Sequence, residues 1–177
     1  MKDEKHYFEV VKALARRTRE QFGLRTVRVT LSDLRRIYRA RSIRIDLWPH
    51  KFKTLKAAYF NDELGMNVLV PRGVSRDCLV FLLAHELKHH LLDAGTPLTC
   101  CISSDESSFR ERSADLFACE LIYPGNQFES DLRRMGIRPG RGSEEALARL
   151  RGEMRTTLGH AVLVKRAELF WTTNRVR

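Results

Sequence analysis

No apolar run in this chain is longer than the seven residues 78–84, whereas a bilayer span needs roughly 20, so no transmembrane helix and no membrane partner is expected. Cysteine is scarce. The four present, Cys78, Cys100, Cys101 and Cys119, form no C-x-x-C pair, which argues against a thiolate zinc cluster or a disulfide scaffold and for reduced thiols. The adjacent pair Cys100-Cys101 reads as two loop cysteines, since neighbouring residues chelate one ion poorly. Internal repeats and low-complexity tracts are missing too, which removes solenoids and disordered tails. The first residues mix charges and have neither an apolar core nor a small-residue cleavage site, so a cytoplasmic location is expected.

What remains is a chain of 177 residues, 43% hydrophobic and 31% charged, long enough to bury a proper core as one domain with a small helical annex. Its net charge is +10, and the charge is unevenly placed. Residues 23–56 carry ten basic and two acidic side chains, residues 57–130 five and eleven, and residues 131–177 eleven and five. Basic flanks point towards polyanions or acidic partners. The acidic middle is where a divalent cation would be at home.

Apolar positions at Tyr7, Phe8, Val11, Leu14, Ala15 and Phe22 predict an amphipathic helix over 3–22, ended by Gly23. A short strand is expected over 27–30, then a helix capped by Ser32 or Asp33 and running through Tyr38. Alternation over 43–47 predicts another strand, stopped at Trp48-Pro49. Residues 56–60 and 66–70 flank a polar turn and should pair as a hairpin. Ser75 or Asp77 can cap a helix reaching about Asp93, closed by Gly95 and Pro97.

That last helix is apolar nearly all round, which marks it as buried. Its polar residues therefore need a reason, because burying His and Glu without partners costs several kcal/mol. They spell His85-Glu86-Leu87-Lys88-His89, an H-E-x-x-H. The spacing sets both imidazoles on one helix face, one turn apart, where they can bind one zinc ion, and sets Glu86 on a neighbouring azimuth, able to reach a metal-bound water without ligating. The competing explanation is a pair of hydrogen-bonded core histidines, which leaves the buried Glu86 without a purpose.

A zinc enzyme of this type needs a third protein ligand and an open fourth position. Residues 108–122 read as a helix ended by Tyr123-Pro124-Gly125, with Glu111, Ala114, Asp115, Ala118 and Ile122 on one stripe. The two alanines allow close approach to the first helix, so that Glu111 reaches the metal and Asp115 accepts the free ring N–H of a ligand histidine. Glu111 has a second explanation, since Ser108-x-x-Glu111 fits a capping box.

The segments His85-Glu86-Leu87-Lys88-His89-His90-Leu91-Leu92 and Glu111-Arg112-Ser113-Ala114-Asp115-Leu116-Phe117-Ala118-Cys119-Glu120-Leu121-Ile122-Tyr123-Pro124 resemble the paired metal helices of the ImmA/IrrE family of metallopeptidases. The likeness covers roughly residues 57–125. It implies a zinc-dependent, thermolysin-like minimal core that cleaves helix-turn-helix repressors controlling phage, mobile-element or stress genes. It also implies His85, His89 and Glu111 as ligands and Glu86 as general base. Lys88 stands where the family has a small glycine, and is expected to snorkel outwards. Tyr123 stands where the family has an aliphatic residue or methionine.

In such a site the metal polarises the scissile carbonyl while Glu86 takes a proton from water and passes it to the leaving amine. Tyr123, His160 and Arg112 are the candidates for a second electrophile, none assigned. The strand over 66–70 is either an edge that pairs with substrate or a fully paired internal strand. Beyond it, residues 125–135 and a segment from Ser143 read as helices separated by a turn at 138–142. A basic helical tail over 138–177, with its Gly159 turn, weakly resembles a helix-turn-helix, which keeps nucleic acid open as a partner.

The fold class expected is α+β: a small, mostly antiparallel sheet packed against metal-bearing helices, with a zincin-like domain over 1–137 and the tail after it. The function expected is a zinc endopeptidase acting on a helix-turn-helix repressor. A DNA-binding or sensory regulator stabilised by its metal is the alternative. Glu86 separates the two, because a purely structural zinc site has no use for a non-ligand carboxylate at that position.

Overall fold

A computed structural model describes residues 2–48, 57–63, 65–93, 105–138 and 143–174. In chain order the elements are α1 (Lys2–Gln21), α2 (Leu31–Ala40), β1 (Arg44–Trp48), β2 (Ala58–Asp62), β3 (Gly65–Pro71), α3 (Arg76–Leu92), α4 (Asp105–Ile122), α5 (Gly125–Arg134), α6 (Ser143–Met154) and α7 (His160–Asn174). This is the α+β class expected. Among the described residues no helix is long and apolar enough to cross a membrane.

The three strands lie in the order β1-β3-β2. The hairpin expected from the sequence forms as β2 antiparallel to β3, while β1 runs parallel to β3, so the sheet is mixed rather than mostly antiparallel. Residues 66–70 thus sit on the central strand, paired on both sides. Their amides and carbonyls are spent inside the sheet, and the edge-pairing role considered for them is withdrawn. Of the two edges, β2 is the one packed beside α3.

Two local expectations change. Residues 27–30 form no strand, since they lead directly into α2, whose N-cap is Thr30 rather than Ser32 or Asp33. Thr30 Oγ1 accepts from the Asp33 amide while the Asp33 carboxylate accepts from the Thr30 amide, a complete capping box. Ser75 caps α3 as expected, through the Cys78 amide. Gly23 takes φ 62° after α1, a conformation that glycine adopts without strain. The closure at Gly95 and Pro97, the pair Cys100-Cys101, Pro49 and most of the 138–142 turn lie outside the described residues.

One hydrophobic core joins all layers, from Val11 and Ala15 of α1 through Leu87 of α3 and Phe117 of α4 to Leu147 and Leu163 of the tail. The expected division near residue 137 is therefore not marked by a break in the core. Ala114 and Ala118 are fully buried, which lets α4 lie close against α3. Arg19 then locks the far end of α4. Its guanidinium, on a residue only 8% exposed, donates to Leu121 O at 2.6 Å, Ile122 O at 3.3 Å and Thr26 O at 3.1 Å. Those carbonyls have no helical partner at a helix end, and a cation there also meets the negative pole of the helix. Arg19→Ala should lower the unfolding free energy by about 2–4 kcal/mol in urea titration, whereas Arg17→Ala, on the exposed face of α1, should change it by less than about 0.5 kcal/mol.

Candidate metal centre

Helix α3 is buried through Val80, Leu83, Ala84 and Leu87, and two of its imidazoles, those of His85 and His89, turn towards α4. His85 Nε2 lies 3.1 Å from Glu111 Oε2 and 3.4 Å from His89 Nε2, and His89 Nε2 lies 3.4 Å from Glu111 Oε1. Three ligands at the usual 2.0–2.1 Å around a tetrahedral ion stand about 3.3 Å apart, so the spacing matches a common ion at their centre. Helix α4 begins at Asp105, which leaves Ser108 inside the helix and not at its N-cap. The capping-box explanation of Glu111 therefore falls.

The ring orientations decide the chemistry. Asp115 Oδ1 accepts from His85 Nδ1 at 2.9 Å, and Asp93 Oδ2 accepts from His89 Nδ1 at 2.7 Å. With both Nδ1 atoms donating, each neutral imidazole points its Nε2 lone pair at the other and at the Glu111 carboxylate. Acceptors facing acceptors repel unless a cation lies between them. In the metal-free protein that cation is a proton. Burial opposes charging His85, but its hydrogen bonds to Asp115 and Glu111 prevail and raise its pKa to about 9. His89 is pushed up likewise, burial being outweighed by Asp93 and Glu111. Glu111 is held far below the carboxylate range because the two histidines overcome its burial. A metal ion fits the same position, and among the described residues His85, His89 and Glu111 form the one group of this kind.

Each carboxylate behind a histidine is in turn met by a lysine. Lys165 of α7 reaches Asp115 Oδ2 at 2.9 Å, and Lys88 reaches Asp93 Oδ2 at 2.7 Å. Counting Glu86, Glu111, Asp93 and Asp115 against these two lysines leaves two negative charges, which a divalent ion neutralises.

Lys88 corrects the outward snorkel expected from the sequence. Its side chain is fully buried, with Nζ also directed at Arg110 O at 3.4 Å and lying 5.8 Å from the centre of the Tyr7 ring. Position 88 faces α1 and α4, so a long cation there has no path to water and pairs with Asp93 instead.

Glu86 lies near enough to the triad for His85, His89 and Glu111 to act on its charge. It is 5% exposed, its carboxyl pKa raised chiefly by burial, and the Tyr59 amide of β2 hydrogen-bonds to it. Among the described residues it belongs to neither the ligand triad nor an ion pair. The next histidine, His90, faces the sheet and contacts the Tyr59 hydroxyl at 3.1 Å. None of the three candidate electrophiles is directed at the triad. Tyr123 is fully buried and donates to Asp131 at 2.7 Å, Arg112 lies 3.7 Å from Glu4, and His160 is exposed at the start of α7.

Two participants escaped the sequence reading. Asp93 stands four residues after His89, so one helical turn would have found it. Lys165 carries no local signal, because only the tertiary packing of α7 brings it to Asp115.

No family model and no curated protein matches the chain.

Metal analysis and X-ray absorption should find about one divalent ion per chain, bound through nitrogen and oxygen. His89→Ala should lose it, and sulfur in the ligand shell would contradict the assignment. Asp93→Asn should weaken binding by about 10–100-fold and, because it removes the carboxylate that pairs with buried Lys88, should also lower the stability of the metal-free protein. Lys88→Met removes the buried cation that pairs with Asp93 and should destabilise the metal-free protein by a few kcal/mol, about 3–5 at most, in urea titration.

Proposed function

We propose that this chain is a zinc metalloendopeptidase of the ImmA/IrrE kind, acting on a protein substrate of the helix-turn-helix repressor class in the cytoplasm. The observation that carries this reading is Glu86: a buried carboxylate one residue beyond a ligand histidine, outside the ligand triad, with its basicity raised by burial. Zinc suits a donor set of two imidazole nitrogens and one carboxylate, which leaves a fourth position for water. When bound, the ion supplies Lewis acidity to a carbonyl oxygen and acidity to that water.

The chain's own residues do the rest. Asp115 and Asp93 fix the histidine tautomers and ring planes, so that both Nε2 lone pairs stay aimed at one point. Glu86 accepts the proton of the attacking water and delivers it to the departing amine nitrogen. A carboxyl shifted upwards is a stronger base than one in water, and it gives up its proton to an amine readily. The edge that β2 leaves unpaired among the described residues supports the same reading, since it lies beside Glu86 and an extended substrate can pair with it through main-chain hydrogen bonds. That mode asks little of substrate side chains at the cut site.

Glu86→Gln preserves size but cannot hold the proton. It should keep the metal and lose about 10²–10⁴-fold in cleavage rate against a small helix-turn-helix repressor that the wild type cuts, followed by gel and mass spectrometry. Glu111→Gln should instead lose metal and activity together, with partial rescue by added zinc. Full derepression in cells by Glu86→Gln, with the repressor intact, would mean that the protein is a metal-stabilised regulator acting by binding.

A further inference from the structure

At the N-terminal end of α3, about 13 Å along the helix from His85, the fold encloses a cleft of about 750 Å³ that the metal centre does not use. Four arginines line it: Arg28 before α2, Arg76 on the first turn of α3, and Arg151 and Arg155 at the end of α6. Arg151 is committed, pairing with Asp77 and donating from Nε to Leu158 O at 2.9 Å. Arg28, Arg76 and Arg155 are exposed and have no ion-pair partner among the described residues. Three uncompensated guanidiniums in one concavity repel each other and focus a positive field into it.

Other features of the cleft share that polarity. The first turns of α2 and α3 both open onto it, with Leu31, Ser32, Arg76 and Asp77 in its lining. The amides of these residues precede the ones satisfied by Thr30 and Ser75, so they are left to a ligand or to water. Arg155 has φ 50°, a left-handed conformation that glycine would take without strain, yet the position carries a guanidinium. Leu31 and Val80 lie beneath the cleft, all but buried. The walls are held in place, because Thr157 donates to Val29 O at 2.7 Å and the Arg151–Asp77 pair ties α6 to α3.

We propose that this cleft binds a phosphorylated small molecule of nucleotide size, with Arg28, Arg76 and Arg155 around its phosphates. Guanidinium matches phosphate through paired N–H donors, and the volume lies in the range of sites for ligands of this size. Arginines gathered in one concavity suit a compact anion better than a strand of nucleic acid, which calls for a stripe.

The test is calorimetric titration of the full chain with ADP, before and after treatment with a chelator. Saturable binding of one ADP per chain is expected, with a dissociation constant below about 1 mM, displacement by inorganic pyrophosphate and persistence after chelation. Arg28→Ala and Arg155→Gly should each weaken it roughly tenfold or more, the second without harm to folding at a position that favours glycine. Arg17→Ala, an exposed arginine on α1, should leave it unchanged. Absence of saturable binding overturns the proposal, as does equal weakening by Arg17→Ala. So does loss after chelation, which would put the nucleotide on the metal, or displacement by a short DNA duplex but not by pyrophosphate.

Discussion

Three electron-pair donors that converge inside a protein repel one another, and much of this structure is arranged to keep them converged. His85, His89 and Glu111 come from two helices, so their distances are set by how closely α3 and α4 pack. The fully buried Ala114 and Ala118 permit the approach. The partners on the other ring nitrogens then prevent the imidazoles from turning away, because rotation would break a hydrogen bond to a carboxylate that is itself anchored by a lysine. The stability of the helix pair and the readiness of the site to take a cation are one property of the packing.

Position along the helix axis is controlled separately, by charges buried at the far end of α4. Arg19 holds the terminal carbonyls from α1, and Glu120, almost wholly buried, accepts from the Gly125 amide at 2.9 Å and from Arg166 of α7 at 3.2 Å. A side chain at residue 125 would crowd Glu120, with a Cβ only 3.1 Å from its Oε2, so glycine suits the position where α4 gives way to α5. Buried pairs of this sort add little net stability compared with apolar packing, but their geometry is strict, which fixes the register of the helix. Lys165 and Arg166 both stand on α7. The basic tail is therefore a brace for the metal-bearing helix, and part of the positive charge that suggested a polyanion partner is consumed inside the fold.

What was legible in the sequence follows from the range of the interactions. His85 and His89 are local, one turn apart, and the buried setting of their helix could be read from its residues. Glu111 and Asp115 could be placed on one stripe, because helical periodicity carries over eight residues or so. The hairpin was readable from its turn. Strand order was not, since whether β3 is central depends on β1 pairing from the other side, and pattern along one strand does not record that. Lys88 was misread for a related reason. Its partner Asp93 is near in sequence, but its burial is decided by Tyr7 and Arg110, on helices distant in the chain. The cap of α2 shows the smaller kind of error: Thr30 and Asp33 satisfy the spacing for a reciprocal pair, and an earlier start satisfies two amides where Ser32 would satisfy one.

The lysine behind each carboxylate has a further consequence for a metal bound at this site. A carboxylate that accepts an imidazole N–H pushes electron density towards the opposite nitrogen, which strengthens the ligand but makes the ion a poorer acid. A lysine on the same carboxylate draws part of that density back. With Lys88 almost out of water, the withdrawal on the His89 side is strong, because solvent does not screen it. On the His85 side Lys165 is largely exposed, and its pull is weaker. The two histidines thus sit in unequal fields. An ion held by His85, His89 and Glu111 would feel that withdrawal through the His89 ring, which Asp93 still fixes in place.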